Sequence, residues 1–166
     1  LGDGVGYAVT FHGPLNFPSV ILVPDDTKAS YTTAERDSLL PSRWTHVALV
    51  RLPADKESNQ RVLLYLDGIR YNNDSAPASF NELALTADNH LVLSASEATG
   101  PVWIDELRFW RRSSKRSNVF PNMCGRLNGD EPDLMAYFPF ETDLNDRGPH
   151  NIEMSVVSGE PQLLPL

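Results

Sequence analysis

Cysteine is nearly absent. The single Cys124 cannot close an internal disulfide, so a cysteine-stapled scaffold and a cysteine-based zinc site are both excluded. Long apolar runs are missing too: the longest are strand-sized pieces such as Val47-Ala48-Leu49-Val50, against the roughly 18 residues a membrane-spanning helix needs. No membrane span is expected. No apolar stripe at helical spacing persists over three turns, which argues against long helices. Positive charge is scarce, with Lys+Arg 14 against Asp+Glu 22 and a formal net charge of -8. Because neutralising phosphates takes a basic face, a nucleic-acid partner is not expected. The chain opens at Leu1 without a charged-then-apolar leader, so it reads as a processed form or a part of something longer, and no signal peptide assigns a compartment.

What is present suits one domain over residues 1–166, long enough to bury a two-layer core. Pro 13 and Gly 10 are spread between short apolar runs, the pattern of strands joined by turns. Strands are expected over 6–11, 19–23, 44–52, 61–66, 69–72, 90–94, 103–109, 134–140 and 153–157. The fold class is all-β, an antiparallel β-sandwich. The runs 44–50 and 62–66 are nearly continuously apolar and are expected to form a core pair with both faces at least partly covered. Asp67-Gly68 then tolerates the positive φ of a primed two-residue turn, which makes three consecutive strands a meander. In 102–109 the apolar positions change parity across Asp105-Glu106. A β-bulge there is expected to aim the Asp105 carboxylate toward a sheet edge or end.

Three elements, in order, carry a family resemblance: Trp44-Thr45-His46-Val47-Ala48, then Leu64-Tyr65-Leu66-Asp67-Gly68, then Gly100-Pro101-Val102-Trp103-Ile104-Asp105-Glu106-Leu107-Arg108-Phe109. With these the chain resembles the laminin-G-like (LamG) jellyroll of the concanavalin A-like lectin/glucanase superfamily. A closing segment common in that family matches at 127–141 and at Asp146-Arg147-Gly148, so the resemblance spans about 44–148. The departure lies at the front, where an opening Phe-Asp-Gly strand is not found, leaving room for a jellyroll whose first strands lie outside this chain. The resemblance implies an extracellular or cell-surface recognition and adhesion module that binds glycan or an extracellular protein. One alternative is a structural building block of a larger assembly, held by neighbouring domains or chains and binding no small ligand. The other is a glycan-hydrolysing enzyme.

The residues disfavour the enzyme. Retaining glycosidases need two carboxyl groups about 5–5.5 Å apart, yet Trp103 and Leu107 stand two positions either side of Asp105, and the histidines are scattered. No catalytic residue is expected. Asp105 is the candidate metal ligand, since jellyroll relatives hold Ca²⁺ with a strand carboxylate and hard cations take six to eight oxygens; Asp3, Asp25 and Asp26 are loop acids available to join it. Its other reading is a carboxylate bonded to backbone amides, without any ion. Trp110, at the strand exit, is the better candidate among the tryptophans for exposure and ligand stacking, while Trp44 is expected to pack and His46 to be a hydrogen-bonded core residue. Arg111, Arg112, Lys115 and Arg116 form the one basic cluster. They are candidates for a sulfated glycan, an acidic partner or a dibasic cleavage site, beside the plainer reading of a solvated turn. Asn73-Asp74-Ser75 fits an N-glycosylation acceptor. Cys124 is either a buried small residue or the partner of a cysteine in another chain.

Overall fold

The computed structural model describes residues 6–12, 17–23, 29–32, 43–52, 61–70, 93, 103–111, 119, 122–156 and 159–163, and for 6–12, 17–23, 29–32, 51–52 and 61–62 the backbone alone. Contacts gather the chain into two units: Leu1–Leu91 with Ser114–Met123, and Val92–Ser113 with Cys124–Leu166. Every strand pairing among the described residues is antiparallel, as an all-β chain requires.

In the first unit, β1 (Gly6–His12), β2 (Phe17–Val23) and β3 (Ala29–Thr32) form a sheet with β2 in the middle. β-Branched and aromatic residues dominate β1 and β2, which suits them to a pleated surface. Strand β2 starts two residues earlier than the expected 19–23. The ladder to β3 begins at Ser19, so proline sits where β2 is paired to β1 alone and its missing N–H costs little. Strand β3, Ala-Ser-Tyr-Thr, has no apolar alternation and was not expected; its pairing with β2 defines it.

The predicted meander is present as β4 (Val47–Leu52), β5 (Arg61–Leu66) and β6 (Ile69–Arg70). The connection between β5 and β6 is the two-residue turn at Asp67 (φ 48°) and Gly68 (φ 74°), both left-handed as a primed turn demands. Asp67 also fixes where β4 begins. Its N–H donates to the His46 carbonyl (2.9 Å), the His46 N–H donates to Asp67 Oδ1 (2.9 Å), and Oδ2 pairs with the Arg43 guanidinium. With both backbone groups of His46 held by the turn, the strand starts at Val47 rather than at Trp44. His46 is therefore half-buried at the strand's entry instead of inside it. Trp44 is corrected as well: it is 56% exposed and does not pack as a core residue.

Coverage is deepest on the middle strand. Leu63, Leu64, Tyr65 and Leu66 of β5 are all buried, whereas Val47 and Leu49 of β4 are exposed at 38% and 40%. Register places Val50 opposite Leu63 and Ala48 opposite Tyr65, so these four share one face, where they cluster with Val119.

The second unit is built on β7 (Leu107–Trp110) and β8 (Leu134–Phe138). Leu134, Ala136, Tyr137 and Phe138 are buried and form its centre. Phe138 meets Phe109 edge-on (centroids 6.4 Å apart) and stacks on Phe140 (6.2 Å). Two sequence expectations need correction here. The strand starts at Leu107 rather than at Trp103, because Glu106 takes a left-handed φ of 56° that no continuous strand contains. The bulge lies between Phe109 and Trp110, where Met135 is the extra residue of β8, and not at Asp105-Glu106. No strand forms over 151–156 either, where Ile152 and Val156 are exposed and no buried face exists to define one. The strand expected over 90–94 falls almost wholly outside the described residues.

Tight backbone approaches hold this unit's loops. Glu131 and Leu134 close a β-turn (3.1 Å) with Pro132 and then Asp133 (φ 67°) at its corners, the type II pattern. A Cβ added at Gly148 would sit 3.0 Å from the Ala136 α-carbon, and one added at Gly129 (φ 96°) would sit 2.0 Å from the Arg147 carbonyl oxygen. Gly129→Ala should therefore cost about 2–4 kcal/mol, combining steric overlap with backbone strain. Gly125→Ala, with nothing within 4 Å, should stay within about 0.5 kcal/mol. Equal urea midpoints for the two variants would refute this account of the loops.

Candidate functional site

Charged side chains of the second unit converge where the chain enters β7. Glu106 is held in its left-handed conformation at a cost of about 1–2 kcal/mol, and the surrounding bonds show what holds it. Its Oε1 accepts from the Tyr137 hydroxyl (2.7 Å) and its Oε2 pairs with the Arg108 guanidinium. Arg108 donates as well to the Gly125 carbonyl, and its guanidinium lies 5.7 Å from the Tyr137 ring centroid. Burial, and then the bond to Glu106, push the Tyr137 phenol up to about 12, so it acts as a donor throughout the neutral range.

The register explains why Arg108 and Tyr137 meet. They face each other across β7 and β8, while Tyr137 turns its backbone the other way: its N–H donates to Asp146 Oδ1 (2.8 Å) and its carbonyl accepts from Arg147 N–H (2.7 Å). A residue of an antiparallel strand presents both backbone groups to one side, which makes Arg108 and Tyr137 a non-hydrogen-bonded pair, the closer kind for side chains.

A second left-handed residue, Phe140 (φ 55°), immediately precedes Glu141, which pairs with Arg126. Both charges reach Asp105. Burial raises the Asp105 pKa, the Glu106 N–H bonded to Oδ1 (2.9 Å) opposes this, the Glu106 and Glu141 carboxylates raise it further, and Arg126 draws it down; the net shift is upward. Asp105 is thus a half-buried carboxylate whose bond among the described residues comes from a backbone amide, while Arg108 and Arg126 are committed to Glu106 and Glu141. Two bulky residues in left-handed backbone beside one carboxylate cluster is the kind of stored strain that collects at functional sites.

Asp146 shifts the other way. Burial raises its pKa, but the amides of Tyr137, Ile152 and Gly148 and the charge of His150 outweigh that and hold it low. Glu131 shows the same balance, with burial outweighed by the backbone N–H groups of Asn128, Glu131 and Gly129 and by Arg108.

The structure brings together only part of the expected site. Asp105 is described, accepts the Glu106 N–H, and precedes β7 instead of lying within a strand. Among the described residues no group of three His, Cys, Asp or Glu gathers to hold a metal, and Asp3, Asp25 and Asp26 lie outside them. Trp110 is half-buried, because β8 runs beside it; the exposed tryptophan of this unit is Trp103, at 59%, followed by Ile104 at 43%. Arg111 is exposed and its N–H donates to the Asp133 carbonyl (2.9 Å). Arg112, Lys115, Arg116 and Asn73 lie outside the described residues. Cys124 is exposed and free, which overturns its reading as a buried small residue. Sequence reasoning missed Glu106, Arg108 and Tyr137 as one network. The signal was the alternation itself, since Arg108 is polar where a strand has only four residues. No helix among the described residues is long and apolar enough to cross a membrane.

The two aspartates predict opposite pH effects. Asp105 has a raised pKa, so its contribution to stability is present below the ordinary aspartate range near 3.9 and is lost as pH rises through the folded value. Asp146 has a lowered pKa, so its contribution is present above that range and is lost as pH falls through the folded value. Asp105→Asn should stabilise the protein at neutral pH, with the gain disappearing in acid, whereas Asp146→Asn should destabilise it at neutral pH and least in acid. Denaturation midpoints across pH would show this crossing, and parallel curves would contradict it.

Compared with protein-family models, curated proteins and solved structures, the chain finds no match in any of the three.

Proposed function

We propose that the chain is a laminin-G-like jellyroll, an antiparallel β-sandwich, that serves as a non-catalytic recognition module for glycan or an extracellular protein outside the cell or at its surface. The order of the three sequence elements supports the family reading. In the structure they fall at the entry to β4, at the end of β5 with its turn, and at the entry to β7. The observation that carries a binding role is the exposure of Trp103 and Ile104 directly before Asp105, which is followed by the left-handed Glu106. A folded chain gains by covering such side chains, and a large exposed aromatic beside a polar group is a common feature of recognition surfaces. Calcium at Asp105 belongs to the same proposal as a separate element.

Arrays of immobilised glycans and extracellular-matrix proteins, probed with millimolar calcium and again with EDTA, test this reading. Binding that Trp103→Ala reduces about tenfold or more, the weight of a central aromatic contact, is the expected result. Loss of that binding in EDTA would place calcium in it. No binding above that of the heat-denatured chain on either array would overturn recognition in favour of a structural building block.

A further inference from the structure

Resting on the recognition reading, we infer that the Trp103-Ile104-Asp105 segment takes an arginine side chain of a protein partner. Three observations meet there. Trp103 presents an exposed indole, the ring that attracts a guanidinium most strongly. Ile104, also exposed, offers apolar surface to the methylene stem that arginine carries below its charge. Asp105 supplies a carboxylate with no salt bridge among the described residues, since the guanidiniums of the site already serve Glu106 and Glu141. Trp103 and Asp105 are two positions apart, so their α-carbons are separated by about 7 Å at most, whatever the local backbone. One arginine, with a fork of donors at the end of a long stem, spans that distance and satisfies both.

Charge complementarity favours this ligand over a neutral sugar. The chain carries a net -8, and it attracts a basic partner before contact is made. A neutral saccharide would stack on Trp103 but bring no countercharge to Asp105. An acidic glycan would be repelled by it.

The test uses a fluorescent tetra-arginine peptide in EDTA buffer, with binding read by polarisation and location read from the indole N–H resonances, that of Trp103 being assigned by Trp103→Phe. The Trp103 resonance should move saturably. Asp105→Asn, which keeps an oxygen to accept the Glu106 amide, should weaken binding about tenfold or more, the worth of one charge-assisted hydrogen bond, while the charge-matched change of exposed Glu160→Gln should alter it less than about twofold. Trp103→Ala should weaken it comparably, which keeps the test informative if Asp105→Asn fails to fold. Equal weakening by Asp105→Asn and Glu160→Gln would mean diffuse attraction and would overturn the site. An unmoved Trp103 resonance would overturn it as well. Movement with a neutral oligosaccharide but not with the peptide would sink the arginine assignment while leaving the recognition module standing; failure on the arrays is the separate result that removes the module.

Discussion

Tyr137 is the point on which the second unit depends. Its N–H and carbonyl are bonded to Asp146 and Arg147, its hydroxyl donates to Glu106, and its ring lies against the Arg108 guanidinium. The side chain is almost wholly buried, so each of these groups would cost about 1–3 kcal/mol if left unmet. Because all are met, one residue ties the loop at 143–152, the entry to β7 and the strand β8 together. Asp146 extends the tie: besides Tyr137 it accepts from Gly148 (2.6 Å) and Ile152 (2.9 Å), so a single carboxylate shapes the segment after β8.

That arrangement makes the strain at Glu106 intelligible. A left-handed glutamate is disfavoured by about 1–2 kcal/mol, and one hydrogen bond of about 1 kcal/mol would not hold it. The Tyr137 hydroxyl and Arg108 act on the same carboxylate, and Arg108 is itself fixed by the Gly125 carbonyl. Together they exceed the backbone cost. The consequence reaches the surface, for the chain leaves the sheet geometry just before β7, and Trp103 and Ile104 lie outside any strand.

Sequence made the meander legible because its turn is written in side chains. Asp67-Gly68 names a primed turn by chemistry, and the apolar runs on either side name β4 and β5. It did not reveal that Asp67 would also bind both backbone groups of His46, which removed Trp44 and His46 from the strand. Around Asp105 the sequence was legible in a weaker sense. The change of parity at Asp105-Glu106 correctly marked an irregularity, but a bulge and a left-handed residue both produce it, and no glycine was present to separate them. The bulge at Phe109 and Trp110 left no mark, since the extra residue, Met135, sits on the partner strand.

The electrostatics then bear on what the site can do. Glu106 and Glu141 each hold a guanidinium, whereas Asp105 has no salt bridge among the described residues; burial raises its pKa and Arg126 only partly offsets that. Folding gains nothing from such a carboxylate at neutral pH. A residue that is unfavourable in the free protein and becomes favourable when a cation arrives contributes to the difference between the two states, and binding draws on that difference. Tyr137 and Arg108 hold Glu106, whose N–H is bonded to Asp105, so that carboxylate is tied to a fixed amide before any partner docks. In the proposed recognition, a carboxylate already held in place loses less on docking than one on a loop that must first be ordered.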